Sequence, residues 1–398
     1  MNPIALHGGE PVRTSLLPYS AQSINDADIE KVIDTLRASL ITTGPVVQEF
    51  EAAIARYVGA EHAVALSSGT AALHAAMYAI DIKPGDEVIV PAITFVASAN
   101  CIVYQGGRPV FADVDPDTLL IDPNSVQQLI TAKTRAIVAV DYAGQPCDYD
   151  TLASIAKQHK LYLVADASHA LGAEYKNRPV GSIADITTFS FHPVKQITTG
   201  EGGMVTTENE LFATRIKQFR NHGITTEHTQ RVQRNTWDYD MQSLGYNYRI
   251  TDFQCALGLQ QLLKLPQWID RRNTIAAYYH QLFNELSCLT PLTHLEQRMH
   301  AYHLYVIKLE PHRLGCQRQE LFQALRAEGI GVNVHYKPVY LHPYYRDTFN
   351  TVPGQCPMAE QAYQRILTLP LFPGMGQQDV DDVVLAVKKV VTHYAVDG

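Results

Sequence analysis

The sequence has a shortage of positive charge, few cysteines and no long apolar run. Its 32 Lys and Arg residues against 40 Asp and Glu residues give a formal net charge of -8, which excludes the basic surface that nucleic acids and anionic lipids attract. No run approaches the roughly 18 apolar residues that cross a bilayer, and residues 1–15 show no basic segment followed by an apolar one. We therefore expect a cytoplasmic protein that binds neither nucleic acid nor membrane.

The six cysteines are too far apart to form a metal or redox motif. No two of them lie closer than 28 residues, so no CxxC pair exists and we expect reduced thiols. The 16 histidines include no HExxH motif. His300 and His303 are close in sequence but lack a third ligand, so we predict that they form a surface pair and that the protein holds no metal.

What is present is the pattern of a large α/β protein. Of the 398 residues, 46% are hydrophobic and 18% charged, which is typical of a soluble globular chain of two or three domains. Helices are predicted after Asn25 and after Pro45. Apolar runs then predict strands at 63–66, 87–90, 110–112, 136–140, 161–165, 187–191 and 204–207, with helical patterns at 71–80, 95–104, 125–131 and 149–159 between them. This alternation predicts a mostly parallel central sheet with helices on both faces.

The C-terminal third predicts a second, smaller unit. Residues 221–246 are polar and aromatic without a period, which is typical of a long loop. A helical pattern over 251–283, interrupted at Pro266, leads to a predicted strand at 304–309, a helix at 319–328, a strand at 331–334 and a helix near 379–393. We place a domain boundary at 264/265, so that residues 1–264 form the leading helices and large domain and residues 265–398 a small C-terminal α/β domain.

Polar residues follow the predicted strands, where open α/β sheets bind their ligands. Ser68, Gly69 and Thr70 stand between a strand and an alanine-rich helix, whose free N–H groups attract phosphate. The same residues could instead only cap that helix. Asp166 ends another strand, where its carboxylate could pair with a protonated ring nitrogen or cap the next helix.

Lys195 and Phe95 complete this set. A lysine in a partly dry site can lose its charge and form a Schiff base with a carbonyl, whereas most lysines are solvated. Ser190 could reach the phosphate held near Gly69, and Phe95 could stack on a flat ring or pack in the core. A phosphate cradle, a stacking ring, an aspartate and a lysine in this chain order are what pyridoxal 5′-phosphate (PLP) requires.

Seven segments resemble the DegT/DnrJ/EryC1/StrS family of fold-type I PLP-dependent sugar aminotransferases. In chain order they are SSGTAAL, PAITFVASAN, AIVAVDYAGQPCD, VADASHALGAEY, SFHPVKQITTGEGG, LGYNYRITDFQCALG and VHYKPVY. SHALGAEY, SFHPVK and VHYKPVY look most like the transaminases of pseudaminic acid synthesis. The resemblance implies that L-glutamate aminates PLP to pyridoxamine phosphate, which then aminates a 4-keto-6-deoxy nucleotide sugar, UDP-2-acetamido-2,6-dideoxy-β-L-arabino-hex-4-ulose.

The resemblance also implies roles for individual residues. Lys195 would be the catalytic Schiff-base lysine and Asp166 the catalytic partner of the ring nitrogen, while Phe95 would stack on the ring. The remaining cofactor contacts would be Ser68, Gly69, Thr70, His169, Ser190 and, from the neighbouring subunit of a homodimer with shared active sites, Asn247. The nucleotide-sugar contacts would be Tyr19, Ser39, Leu40, Ile41, Thr42, Val334, His335, Tyr336 and Lys337.

Several alternatives stay open at this point. The acceptor could be another 4-keto or 3-keto dTDP-, GDP- or UDP-sugar. A dehydratase that uses pyridoxamine phosphate would carry histidine in place of Lys195, and a PLP-dependent lyase such as a cysteine desulfurase would need a mobile nucleophile such as Cys316 or Cys356. A cofactor-binding sensor without turnover would not need both Asp166 and Lys195. Two features depart from the family pattern: Gln196 replaces a frequent proline, and the loop 224–242 is unusually long and polar.

Overall fold

The computed structural model describes residues 3–226, 231 and 235–396. Two helices open the chain, α1 (Asp26–Arg37) and α2 (Pro45–Val58). Asn25 caps α1, because its side chain accepts from the Asp28 N–H while the Asp28 carboxylate accepts from the Asn25 N–H. Proline at the first position of α2 fits a helix start, since its missing N–H is not needed there. Both leading helices lie where the sequence predicts them.

The centre of the described chain is a seven-stranded sheet with the strand order β1-β9-β8-β5-β4-β2-β3. Every neighbouring pair is parallel except those that involve β9, which runs antiparallel to both β1 and β8. This confirms the predicted α/β fold with a mostly parallel central sheet. The strands are β1 (His62–Leu66), β2 (Glu87–Pro91), β3 (Arg108–Ala112), β4 (Thr134–Val140), β5 (Tyr162–Asp166), β8 (Ile186–Ser190) and β9 (Gly203–Thr207).

Helices alternate with these strands and pack in two groups. One group joins α3 to α4 and α7, and the other joins α5 to α6. Two-residue strands β6 (Glu174–Tyr175) and β7 (Arg178–Pro179) make a small separate sheet with β11 (Arg298–Met299). The helices are α3 (Gly69–Ala79), α4 (Ala97–Tyr104), α5 (Pro123–Leu129), α6 (Tyr149–His159) and α7 (Glu210–Phe219).

A second core surrounds the C-terminal sheet, in which β12 pairs antiparallel with β10 and β13. This core also buries Ile4 and Leu17 from the start of the chain. The predicted boundary at 264/265 falls inside one long helix, α8, and the division into two domains stays a prediction. The elements are α8 (Asp252–Phe283), β10 (Leu289–Pro291), β12 (Tyr305–Leu309), α9 (Arg318–Ala327), α10 (Pro343–Phe349), α11 (Pro357–Arg365), β13 (Ile366–Leu369) and α12 (Gln377–Tyr394).

The predicted interruption at Pro266 is wrong, because α8 continues through it. A proline inside a helix removes one backbone hydrogen bond and costs about 3 kcal/mol. Leu265 and Ile269 on either side of it are buried, so the packing of both halves against the rest of the protein holds the helix together. Among the described residues, no helix is both long and apolar enough to cross a bilayer.

The strand predicted at 331–334 is also wrong. In place of a strand, only single bridges form, between Ile330 and Leu17 and between Asn333 and Thr368. The side chain of Asn333 accepts from the backbone N–H of Val334 at 2.8 Å, a local bond that competes with strand pairing. The segment instead leads to the large sheet, where the Val339 N–H donates to the Ala92 carbonyl at 2.9 Å.

Six strands of the same direction end at one edge of the large sheet, and four of them carry the segments of interest. β1 ends at Leu66, β2 at Pro91, β5 at Asp166 and β8 at Ser190. Because the carboxyl ends of parallel strands meet at one edge, the segments that follow them converge there.

Candidate active site

A cavity of about 560 Å³ opens at this edge. Residues from distant parts of the sequence share its wall, and they include the predicted lysine, aspartate, stacking ring and phosphate cradle. Of the predicted cofactor residues, it is lined by Ser68, Gly69, Thr70, Phe95, Asp166, His169, Ser190 and Lys195, and of the predicted sugar contacts by Tyr19, Val334, His335 and Tyr336.

The predicted phosphate cradle lies where α3 begins. Ser68 caps the helix, since its Oγ accepts from the Ala71 N–H at 3.1 Å. A Cβ placed on Gly69 would lie 2.8 Å from the Ser190 Cβ, and one placed on Gly203 would collide with the Ser68 carbonyl. Glycine is therefore required at positions 69 and 203 for the ends of β1 and β8 and the start of β9 to approach this closely. The positive end of α3 and the Ser190 hydroxyl together fit a phosphate group.

Asp166 lines the cavity and is only 4% exposed. Its Oδ1 accepts from the Ser168 N–H at 3.1 Å and from the Ser168 Oγ at 2.6 Å, and its Oδ2 accepts from the Ser98 Oγ at 2.6 Å. These hydrogen bonds hold both oxygens of the carboxyl group in place. A buried carboxylate that opens into a cavity fits the protonated nitrogen of a pyridine ring.

Lys195 is half-buried in the turn that follows β8, where its backbone N–H donates to the His192 carbonyl at 2.9 Å. Burial lowers the pKa of its amine to about 8, although the nearby Asp166 acts in the opposite direction. Within the described part of the chain, this amine has no hydrogen bond or ion pair. It is therefore an amine that loses its proton close to neutral pH and has no structural bond to give up.

The low pKa predicts how fast the cofactor-free protein captures PLP. Only the unprotonated amine attacks an aldehyde, so the capture rate should rise about tenfold per pH unit below pH 8 and level off above it. The growth of the visible absorbance after mixing, recorded between pH 6 and 10, measures this rate. A rate that still rises above pH 9 would show that Lys195 behaves as an ordinary solvated lysine.

Aromatic and imidazole rings also line the cavity. The His169 Nε2 lies 3.2 Å from the Tyr336 hydroxyl. Burial and the nearby Lys195 lower the pKa of His169 well below its usual value and that of His335 to about 3, so these rings add no positive charge. Phe95 is 54% exposed and its ring lies 5.9 Å from that of Tyr336. The exposure of Phe95 excludes core packing as its role.

The prediction that His300 and His303 form a surface pair is wrong, since they are only 6% and 3% exposed. His300 stacks on Tyr302 with ring centroids 3.8 Å apart and accepts from the Tyr302 N–H. His303 lies 4.4 Å from His169, ring to ring, and lines the cavity. Among the described residues, no group of three or more His, Cys, Asp or Glu side chains could hold a metal.

Several predicted residues do not line the described wall of this cavity. Lys337 follows the lining residue Tyr336, while Ser39, Leu40, Ile41 and Asn247 are exposed elsewhere. Thr42 lines a second cavity of about 350 Å³, which also contains Arg231 and Arg249. Asn247 bridges Asn221, whose side chain accepts from Arg249 at this second cavity. Of the loop 224–242, residues 227–230 and 232–234 lie outside the described residues.

The structure adds residues that the sequence did not indicate. Ser98 and Ser168 bond to Asp166, and Thr94 lies 2.7 Å from Ser98. The sequence held one indication of the role of Ser98: it follows Phe95 by about one helical turn, so both can lie on the same side of the chain. Gln196, which replaces a frequent proline, is buried and its amide donates to the His169 carbonyl. This hydrogen bond connects the turn that carries Lys195 to the segment that carries His169.

The fold and this site define a PLP-dependent aminotransferase of fold type I. Its residues fit the cofactor: the close approach of Gly69 to Ser190 leaves room for a phosphate group, Asp166 is a buried carboxylate, and Lys195 is an amine with a lowered pKa. Residues 22–388 match the DegT/DnrJ/EryC1/StrS aminotransferase family. The chain belongs to this family, and it is a sugar aminotransferase.

Relatives and solved structures agree with this assignment. The spore coat polysaccharide biosynthesis protein SpsC of Bacillus subtilis is 43% identical over 382 residues, 95% of this chain and 98% of SpsC. Helicobacter pylori PseC, an aminotransferase of pseudaminic acid biosynthesis, superposes with a TM-score of 0.89 at 33% identity, over 96% of this chain and 100% of PseC. The PLP form of the sugar aminotransferase Spr1654 of Streptococcus pneumoniae superposes with a TM-score of 0.89 at 34% identity, over 95% and 99% of the two chains.

Proposed function

We propose that the protein transfers the amino group of L-glutamate to the C4 carbonyl of a 4-keto-6-deoxy nucleotide sugar. The proposed acceptor is UDP-2-acetamido-2,6-dideoxy-β-L-arabino-hex-4-ulose, and the proposed pathway is pseudaminic acid synthesis. The observation that carries the proposal is one cavity that holds a low-pKa lysine, a buried aspartate and a phosphate cradle. The likeness to PseC supports the choice of sugar.

Each residue of the cavity has a proposed task. When bound, PLP supplies an aldehyde that exchanges amino groups and a ring that takes up an electron pair. Ser68, Gly69, Thr70 and Ser190 bind its phosphate. Asp166 holds the proton on its ring nitrogen, and Phe95 covers one face of its ring.

Lys195 has two tasks in the proposed reaction. Its Nζ holds the cofactor between turnovers and, once freed, takes the proton from the α-carbon of the amino donor. An amine with a pKa of about 8 suits this exchange, since it gains and loses a proton near neutral pH. The neutral rings of His169, His335 and Tyr336 exclude water without adding charge.

The sugar nucleotide is proposed to bind along the wall of Tyr19, Val334, His335 and Tyr336. Tyr19 and His335 lie 5.1 Å apart, ring to ring. Lys337 follows this wall and would offset one charge of the diphosphate. Ser39, Leu40, Ile41 and Thr42 lie outside the described wall and would act from a second subunit.

We propose a homodimer with shared active sites. Asn247 is exposed and lies outside the lysine cavity of its own chain, so a contact with the cofactor phosphate would have to be made in the partner. Exposed apolar side chains in the same region support an interface, since Trp237 is 87% and Leu244 76% exposed.

Shared sites predict that two inactive variants restore each other. Lys195→Ala lacks the lysine and Asn247→Ala lacks the residue given to the partner, so each should be nearly inactive alone. A mixed dimer keeps one complete site, and random mixing should therefore return about a quarter of the wild-type activity. Unfolding and refolding the two variants together, followed by the amination assay, measures this. Activity no higher than the sum of the separate variants would contradict shared sites.

A second acceptor is supported by the likeness to SpsC, which has higher identity than PseC. SpsC belongs to spore coat polysaccharide synthesis, so another 4-keto or 3-keto dTDP-, GDP- or UDP-sugar is the second candidate substrate. The two candidates share the same donor half-reaction and differ only in the sugar.

The structure gives a desulfurase little support. Cys356 is fully buried at the start of α11, and burial raises the pKa of its thiol. Burial and Glu320 raise the pKa of Cys316 to about 11. Neither thiol belongs to the described lining of the lysine cavity, whereas a persulfide-forming cysteine has to reach the cofactor as a thiolate.

A panel of acceptors tests the proposal. The purified protein with PLP and L-glutamate is incubated with 4-keto-6-deoxy sugars carried on UDP, dTDP and GDP, and the release of 2-oxoglutarate is followed. The proposed sugar should give the highest kcat/KM. A higher value for a dTDP- or GDP-linked sugar would favour the second candidate, and amination of none of them would contradict both.

A further inference from the structure

The environment of Asp166 contains a chain of buried hydroxyl groups. Ser98 is fully buried and Thr94 is 2% exposed. The Ser98 Oγ donates to Asp166 Oδ2 at 2.6 Å and lies 2.7 Å from the Thr94 Oγ1. Because water has little access to these atoms, they have to satisfy one another.

The direction of this chain follows from the number of protons. An ionised carboxylate only accepts hydrogen bonds, and a hydroxyl has one proton to donate. With Asp166 ionised, Ser98 donates its one hydroxyl proton in the hydrogen bond to the carboxylate. Ser98 therefore accepts the hydrogen bond that the Thr94 hydroxyl donates. Both hydroxyl protons are therefore directed toward Asp166 Oδ2.

A count of hydrogen-bond donors around Asp166 leaves one acceptor position of its carboxylate open. A carboxylate offers about four acceptor positions, two on each oxygen. Ser168 fills both positions of Oδ1, through its backbone N–H at 3.1 Å and its Oγ at 2.6 Å. Ser98 fills one position of Oδ2. The remaining position is on Oδ2.

We infer that Asp166 receives the ring N–H of the cofactor on Oδ2, and that Ser98, oriented by Thr94, is a positioning residue that fixes this oxygen in place. The inference rests on the proposed pairing of Asp166 with the cofactor ring. Without Ser98, Oδ2 would have two open positions, and the carboxylate would be held only through Oδ1 by Ser168.

Phe95, the proposed stacking ring, lies in the same turn of the chain as Thr94 and Ser98. Phe95 directly follows Thr94, and the Ser98 backbone N–H donates to the Phe95 carbonyl at 3.2 Å. One turn of the chain therefore carries the ring that covers the cofactor and the hydroxyls that orient its aspartate. A single segment fixes the cofactor ring both from its face and from its edge.

The test compares PLP with an analogue in which carbon replaces the ring nitrogen. Ser98→Ala should weaken the affinity for PLP about tenfold, the scale of one hydrogen bond to a charged group. It should leave the affinity for the analogue within about twofold, since the analogue has no N–H to place. Thr94 itself lines the cavity, but it bonds to Ser98 and not to Asp166, so Thr94→Val should weaken PLP binding about threefold with the same selectivity. Titrations of the cofactor-free wild type and of the two variants with each compound, followed by absorbance, measure the six dissociation constants.

A matched control removes a buried hydroxyl that does not touch the carboxylate. Thr188 pairs with Asp166 in the sheet, but its Oγ1 donates to the Ala165 carbonyl at 3.3 Å. Thr188→Val should bind both compounds as the wild type does. If Ser98→Ala does not fold, Thr94→Val provides the same comparison.

Equal losses for PLP and the analogue in Ser98→Ala and Thr94→Val would overturn the inference, because they would mean a general loss of packing. Failure of the proposed active site gives a different result. In that case, borohydride would not fix PLP to Lys195 in the wild type, whatever the behaviour of Ser98→Ala.

Discussion

Lys195→Ala should lower the transamination rate about a thousandfold or more, because it removes both the group that holds PLP and the group that moves the proton. The fold should survive the change. Burial disfavours the charge of Lys195, as its lowered pKa shows, and among the described residues its amine has no partner to leave unsatisfied. The amination assay and the unfolding temperature of the cofactor-free protein measure the two effects.

Chemical trapping connects this loss to the proposed residue. Borohydride followed by mass spectrometry should find the reduced cofactor on the peptide that contains Lys195 in the wild type and nowhere in Lys195→Ala. Lys157→Ala, an exposed lysine on α6, is the matched control and should keep both activity and adduct. Half-normal activity in Lys195→Ala, or an adduct on another lysine, would contradict the proposed site.

The sequence predicted the parts of the site that depend on chain order along the sheet. Gly69 and Asp166 closely follow apolar runs, and Lys195 follows the predicted strand at 187–191. Parallel strands bring such ends to one edge. For the same reason, a prediction made without coordinates could place Ser190 beside Gly69. The close approach of these two residues is visible only in the structure, where a Cβ on Gly69 would crowd Ser190.

The predictions that failed depend on contacts between distant segments. His303 has no local sign of burial, yet the packing of the C-terminal region places it 4.4 Å from His169. Pro266 would end an isolated helix, but tertiary contacts hold α8 together. Ser98 looked like an ordinary helix residue, because its partner Asp166 lies 68 positions further along the chain. A local sequence pattern does not indicate contacts between residues that are this far apart in the chain.

Substitution of Asp166 should have the second largest effect. Asp166→Ala should lower kcat about a hundredfold or more, since the ring nitrogen then lacks the carboxylate that keeps its proton and the ring takes up electrons less readily. It also leaves the hydroxyls of Ser98 and Ser168 without their acceptor, which adds a cost in stability of about 1–3 kcal/mol for a buried group left unsatisfied. Rapid mixing with L-glutamate measures the donor half-reaction, and thermal unfolding measures the stability.

Asp141→Asn is the matched control for Asp166→Ala, because Asp141 is a second buried aspartate near the same edge. Its Oδ2 accepts from the Tyr149 hydroxyl at 2.7 Å, and it is not among the described lining residues of the cavity. Burial raises the pKa of Asp141 to about 7, so its neutral form is present below that pH and an asparagine can replace it there. At pH 6 this variant should keep the donor half-reaction while Asp166→Ala loses it. Equal losses in both variants would mean that the region responds to any change of a buried carboxyl, and the assignment of Asp166 to the ring nitrogen would then fail.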